Sequence, residues 1–301
     1  MKHVMSISLG SSKRNHRAEV SFFDETFLLE RVGTDGDAKK MKRLFEENDG
    51  KVDAFGLGGF DLYLCYKNNR YTFRDAYRAI ESVKITPVAD GTGVKKTLEA
   101  IAVKHLQDQG IIQPSMKVLI PSAISRYFLY NAFKTLGYSV KWGDLAFALG
   151  IGKKAYSSDR LMDILAYPLL PLMVKLPFSW LYPVGASQDK IVSNFNHMYE
   201  EADIIAGDFH YIFKHLPPDL SRKIILTNTL TAEEILVLKE RHVKIIATTT
   251  PEFNGRSFAT NVIEAFACAI LQKKPEEISE ENFLTLFRKL NFKPRIIKNE
   301  E

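Results

Sequence analysis

The residues whose types and spacing suit chemistry fall in a few short stretches. Val88–Leu98 reads VADGTGVKKTL, with Asp90 ahead of a flexible G-T-G and Lys95 and Lys96 in the first turn of the helix it opens. A carboxylate fixed at such a junction can take a proton or hold a substrate hydroxyl. It can equally cap the helix, a contribution of ~1 kcal/mol. Gly10–Arg17 (GSSKRNHR) follows a strand and sets two hydroxyls among basic side chains. Ser11, Ser12, Lys13 and Arg14 there suit a carboxylate or phosphate held by charge-assisted bonds, the plainer alternative being a solvated basic loop. Gly56–Gly59 (GLGG) could let the backbone approach a ligand closely, but reads rather as a plain turn. In Thr248–Phe258 (TTTPEFNGRSF), Pro251 and Gly255 shape a loop from which Arg256, with Asn261 just beyond it, can reach a ligand. The histidines are scattered, with no H-x-x-x-H or Cys/His cluster, so no metal site is expected.

The elements that would position these residues differ between the two parts of the chain. Beyond Pro114, short apolar strands alternate with helices: Lys117–Ile120, Ser139–Trp142, Asp203–Ala206, Lys223–Leu226 and Val243–Ala247. That alternation implies right-handed βαβ units and a parallel sheet. Ligands of such sheets sit beyond the carboxyl ends of the strands. Those ends carry Ser122 with Ser125 and Arg126, Asp144, Gly207-Asp208, Thr227-Asn228 and Thr248-Thr249-Thr250. Ser122, Ser125 and Arg126 open a helix whose N–H groups can hold an anion. Asp144, 24 residues after Ile120, stands where an acidic side chain would take a ribose hydroxyl. Asn228, Thr249, Thr250 and Arg256 complete the cofactor-binding candidates, and helix capping by short polar residues is the alternative. The first turn reads PSAISRY, without the glycines of G-x-G-x-x-G, so either a pyrophosphate is approached more loosely or the ligand is a different one.

Before Pro114, strands and hairpins mix with helices. His3–Leu9 reads as a strand, Ala18–Val32 as a hairpin turning at Asp24-Glu25, and Asp37 as the cap of a helix. The expected fold class is α/β: a mixed α/β domain over residues 1–112, then a Rossmann-like parallel-sheet domain over 113–301. An apolar, proline-rich insertion occupies about 151–200, and the IIKNEE tail reads as frayed.

The chain has 301 residues, 46% hydrophobic and 26% charged, which excludes disordered, collagen-like and disulfide-scaffold classes. A net charge of +5 over that length is no nucleic-acid footprint, although it favours a small anionic substrate or a nucleotide. The two cysteines read as buried thiols of a reducing compartment, and the expected location is cytoplasmic. Leu161–Val184 is the most apolar stretch, yet four prolines and two charges interrupt it, which argues against a membrane span. Burial in the fold or in a homo-oligomer is expected there, with membrane contact by 161–184, or a lid over an apolar ligand, the less favoured alternative.

From Asp90 to Val140, ADGTGVKKTLEAI followed by MKVLIPSAISRYFLYNAFKTLGYSV resembles the shikimate/quinate dehydrogenases, in which an N-T-D-G-x-G motif precedes the nucleotide-binding strand. VKIIATTTP with NVIEAFACAIL is similar to that family's last strand and closing helix. The resemblance implies a catalytic domain before a Rossmann domain, Asp90 at the catalytic aspartate, and hydride transfer between NAD or NADP and a hydroxylated carboxylic acid. The family's glycine-rich cofactor loop and its V-T-x-P-x-K lysine segment are not found. The other reading is therefore a nucleotide- or anion-binding protein of Rossmann-like fold without hydride transfer.

Overall fold

In the first unit, β1 (Lys2–Ser8) runs through the middle of a sheet and is buried from Val4 onward. The computed structural model describes residues 1–147, 158–177, 195–253 and 256–299, apart from the side chains of 252–253 and 256–257. After β1 come β2 (His16–Phe22), β3 (Glu25–Gly33), α1 (Ala38–Asn48), β4 (Ala54–Gly58), β5 (Tyr63–Tyr66), β6 (Asn69–Thr72), α2 (Arg74–Ile80), β7 (Val88–Ala89) and α3 (Thr92–Asp108). The sheet order is β2-β3-β1-β4-β7, with β5 and β6 forming a separate hairpin. All its pairings are parallel except β2 with β3. β2 alternates between half-buried and exposed residues, as an edge strand with one solvated face does. Phe23 and Asp24 both have positive φ, the condition for a tight two-residue hairpin turn.

Along the chain after α3 come β8 (Lys117–Ile120), α4 (Tyr127–Thr135), β9 (Ser139–Trp142), α5 (Asp144–Phe147), α6 (Asp159–Met173), α7 (Asn196–Glu201), β10 (Ile204–Ala206), α8 (Phe209–Lys214), β11 (Ile224–Thr227), α9 (Ala232–Glu240), β12 (Ile245–Thr248) and the hairpin β13 (Glu252–Phe253)–β14 (Arg256–Ser257). The chain continues through α10 (Thr260–Leu271) and α11 (Glu280–Lys289) to β15 (Arg295–Lys298). The sheet order is β15-β12-β11-β10-β8-β9. β8 to β12 are parallel, as the βαβ alternation predicts. Leu119, Phe147, Tyr199, Ile205, Ile225 and Ile246 belong to its core. Both units are α/β with mostly parallel sheets, so the expected fold class holds.

Three expectations differ from the structure. The start of the IIKNEE tail is not frayed: Arg295–Lys298 pairs antiparallel with β12, and residues 300–301 lie outside the described residues. The outer edge of β12 offers unpaired N–H and C=O groups, and two consecutive isoleucines supply a strand to meet them. Gly56 and Gly58 are not turn residues but lie in β4, beneath α10. A Cβ on Gly56 would stand 2.9 Å from Asn261 Nδ2, which donates to Ser6 Oγ at 2.8 Å. Finally, α10 and α11 do not belong to the second unit, despite their place in the sequence. The first unit comprises Met1–Thr97, 168–177 and Ala259–Asn291 of the described residues, and the second takes the remainder, so that α3 is divided after Thr97 and α6 after Tyr167. Thr260–Ala269 of α10 are buried throughout, a helix enclosed on all sides, and it packs on β1, β4 and β7.

Residues 151–157 and 178–194 of the apolar insertion lie outside the described residues. Within α6, Met162, Ala166 and Leu170 recur every four residues and are buried, while Ile164, Leu169 and Leu172 are exposed. Among the described residues, no helix is long and apolar enough to cross a membrane.

Candidate functional site

In the second sheet, the chain steps from β8 outward to β9 and then returns to β10 on the other side of β8. Connections leave in opposite directions there, and such a switch point is where a parallel sheet opens to a ligand. It is framed by Pro121–Arg126 after β8 and Gly207-Asp208 after β10.

Pro121–Arg126 makes a turn that its own protein groups satisfy. Ala123 N–H donates to Asp144 Oδ2 at 2.9 Å and Ile124 N–H to Oδ1 at 3.0 Å. The Ser125 hydroxyl donates to Ser122, to the carbonyl at 3.0 Å or to Oγ at 2.9 Å. Burial pushes the Asp144 carboxyl up to about 6, against the pull of the backbone N–H groups it accepts from. Asp144 is thus engaged in closing the turn, where it holds the N–H groups of Ala123 and Ile124.

Arg126 turns inward, and its side chain is 3% exposed. Nη1 donates to Glu99 Oε1 at 2.7 Å, Nε donates to Asp208 Oδ2 at 2.9 Å, and Nη2 pairs with Asp208 Oδ1. Glu99, on α3, is equally buried at 2%, whereas the Asp208 side chain is 29% exposed. Asn228 Nδ2 lies 3.4 Å from Asp208 Oδ1, and the Thr250 hydroxyl donates to the Asn228 carbonyl at 2.7 Å. Thr248 Oγ1 donates to the Thr250 carbonyl at 2.8 Å. The hydroxyls of Thr227 and Thr249 are buried and, among the described residues, have no hydrogen-bond partner. The structure therefore gathers Ser122, Ser125, Arg126, Asp144, Asn228, Thr249 and Thr250 at the carboxyl ends of one sheet. The side chain of Arg256 lies outside the described residues.

In the first unit, Asp90 follows β7 and is 6% exposed. Its Oδ2 accepts from Leu62 N at 2.9 Å, Tyr63 N at 3.1 Å and Thr92 Oγ1 at 2.6 Å, and its Oδ1 from Thr92 N at 2.9 Å. All four of these groups donate to the carboxylate. An amide there would turn its own N–H toward one of them, so Asp90→Asn is expected to cost ~1–3 kcal/mol of stability, read from urea unfolding. An unchanged midpoint would show that these bonds are not holding the junction.

The Ser11–Arg14 loop leaves the end of β1, with β4 between β1 and β7. Ser11 accepts from Lys13 N at 3.2 Å, Ser12 N donates to Asp35 Oδ1 at 2.7 Å, and Lys13 and Arg14 are exposed. No hydrogen bond among the described residues joins this loop to Asp90.

Sequence reading missed Glu99, missed Glu264, and saw Asp208 only as a strand end. The first two carry a legible signal, a single acidic residue within an apolar helical run (LEAIAV and VIEAFACAIL). Glu264 is 1% exposed, and its Oε2 accepts from Gly91 N at 2.6 Å. A Cβ on Gly93 would collide with Glu264 Oε1, so the G-T-G is the space in which this carboxyl sits. Beside it Lys95 meets Asp61 at 2.5 Å. Cys268 is buried, and the Cys65 thiol is pushed up to about 11, chiefly by burial. Among the described residues, no group of three or more His, Cys, Asp or Glu side chains could hold a metal ion.

The sequence profile of a family described as "Domain of unknown function (DUF8754)" matches residues 93–299, more than half of the chain. The chain belongs to that family. A second profile, "Domain of unknown function (DUF8753)", matches residues 3–90. The DUF8754 match starts at Gly93 and runs through α10 and α11, so it includes helices that pack in the first unit. No curated protein matches the chain. Among solved structures, a solute-binding protein of an ABC transporter from Burkholderia multivorans is similar at 11% identity and a TM-score of 0.41, over 98% of each chain. A galactofuranose-binding protein is similar at 9% identity and 0.37, over 99% of this chain and 95% of its own. A putative malic enzyme (malate oxidoreductase) is similar at 12% and 0.37, over 96% and 84%. At such scores the likeness carries no argument about what the chain does.

Proposed function

We propose that this chain binds a small, hydroxyl-bearing, uncharged molecule at the carboxyl ends of its second sheet, without hydride transfer. The carrying observation is the Glu99–Arg126–Asp208 array. Arg126 stands at the switch point with one carboxylate on either side, so its charge is already matched by acidic partners. An incoming phosphate would have to draw the guanidinium out of a buried pair, and breaking such a pair costs ~3–5 kcal/mol. A hydroxyl meets a better match. It can donate to the fixed, partly exposed Asp208 carboxylate and accept from the Asn228 amide beside it. Two further features support the reading: the turn after β8 contains no glycine, and the N–H groups of Ala123 and Ile124 are held by Asp144.

The test is the melting temperature of the purified chain against ribose, glucose, myo-inositol, quinate, ATP, NAD(H) and NADP(H). A ligand present at 100 times its Kd stabilises by ~2.7 kcal/mol. Stabilisation by an uncharged polyol or aldose, lost in Asp208→Asn, is expected. Stabilisation by NAD(H) or NADP(H) alone would overturn this reading in favour of the dehydrogenase.

A further inference from the structure

Arg31, in the first unit, is a cation that bonds to neutral groups. It lies on β3 opposite His16 of β2, so both side chains leave the same face of the sheet. It is half-buried, and it donates to two neutral acceptors, Ser8 Oγ from Nη2 at 3.0 Å and the Ser11 carbonyl from Nη1 at 3.0 Å. A guanidinium has five N–H donors, so three remain. Among the described residues, no carboxylate lies within ion-pair distance of it. Glu30 is next in sequence, but it leaves the opposite face and pairs with His3 at 2.9 Å. Asp35 accepts from Ser12 N and acts on Arg31 only at longer range.

The surroundings add positive charge. Burial and then the neighbouring Arg14 both push the Arg31 pKa down, while Asp35 opposes them. A half-buried cation beside a second cation is held at a cost that an anion would offset. Arg31 borders an open depression of about 260 Å³, lined also by Asn15, His16, Arg17, Glu30 and Val32. The loop's own N–H groups are not donors here. Those of Lys13, Arg14 and Asn15 bond to Ser11 and Ser12, so side chains alone must recognise the ligand.

We infer that Arg31 anchors a second ligand site, for a small oxyanion presented as a carboxylate or phosphate group, with Arg14 reinforcing it. The site is in the first unit and does not depend on the hydroxyl site of the second sheet. The fork of the guanidinium matches two oxygens of such a group at once, which an ammonium cannot do.

The experiment is calorimetric titration of the full chain with inorganic phosphate and, separately, with succinate, at low ionic strength. Saturable binding of at least one anion is expected, weakening as salt is added. Arg31→Lys keeps the charge but removes the fork, and it should weaken binding about tenfold. Should that variant fail to fold, because Arg31 also ties down Ser8 and Ser11, Arg14→Ser decides: weaker binding supports the site and unchanged affinity overturns it. The relative response to phosphate and succinate tells which source the site prefers. Absence of binding by the unaltered chain, or equal affinity in Arg31→Lys, overturns the inference. So does binding that Asp208→Asn abolishes and Arg31→Lys spares, because the anion would then occupy the second sheet. Failure of the hydroxyl site leaves these anion titrations unaffected, so the two readings fall separately.

Discussion

Replacing Arg126 by alanine is expected to lower the unfolding free energy by ~3–5 kcal/mol, among the largest effects of any single substitution. The cause is the charge left behind. Glu99, 2% exposed, would keep its charge with its guanidinium partner gone, and Asp208 would lose both arms of the fork. The cost should fall when the stranded charge is also removed. Glu99→Gln combined with Arg126→Met should therefore be more stable than Arg126→Ala, because well-packed neutral side chains often replace a buried ion pair without loss. Urea unfolding of the unaltered chain, the single variant and the double variant measures this. A loss below ~1 kcal/mol for Arg126→Ala would mean that water reaches the array and screens it.

The second large effect is a pH dependence centred on Glu264. Burial first, and then the charge of Asp90, push its carboxyl up to about 8, while the N–H groups of Gly91 and Gly93 and the charge of Lys95 pull it down. The native chain thus keeps a proton that the unfolded chain releases near pH ~4.3. A raised native pKa gives stability that is full below the unfolded value and is lost as pH rises through about 8. At ~1.4 kcal/mol per unit, the loss attributable to Glu264 has a ceiling of ~5 kcal/mol. Asp144, pushed up to about 6, adds a smaller loss of the same sign at lower pH. Glutamine imitates the protonated carboxyl, so Glu264→Gln should remove most of the slope between pH ~5 and ~8 and be the more stable form at pH 8. The measurement is unfolding free energy against pH for both chains. Parallel curves would show that Glu264 is ionised throughout.

These effects involve residues that sequence position alone places poorly. Asp90 is conspicuous in ADGTG because glycine flanks it, and the structure does put it at a helix start. Its chemical surroundings, however, come from partners up to 28 residues away, Leu62 and Tyr63, whose N–H groups donate to the carboxylate. The basic loop Ser11–Arg14 is equally conspicuous. Its strongest candidate for holding an anion nevertheless comes from Arg31, a strand residue brought alongside by the parallel pairing of β1 with β3.

The sequence by itself determined the elements whose signals are local. Apolar runs such as KVLI fixed the buried strands, and Asp37 and Thr231 fixed helix starts through side-chain capping bonds. The alternation of strands with helices then determined a parallel sheet with polar residues at its carboxyl ends. Only the tertiary structure decided three further matters. It seated α10 on the first sheet, because Gly56 and Gly58 allow a helix that comes after the second sheet's parallel strands to approach β4 closely. It turned the tail into β15, because β12 had an edge to satisfy. And it decided which charges meet. Glu99, Arg126 and Asp208 lie 27 and 82 residues apart, and electrostatic pairing depends on distance in space, which periodicity along a chain does not record.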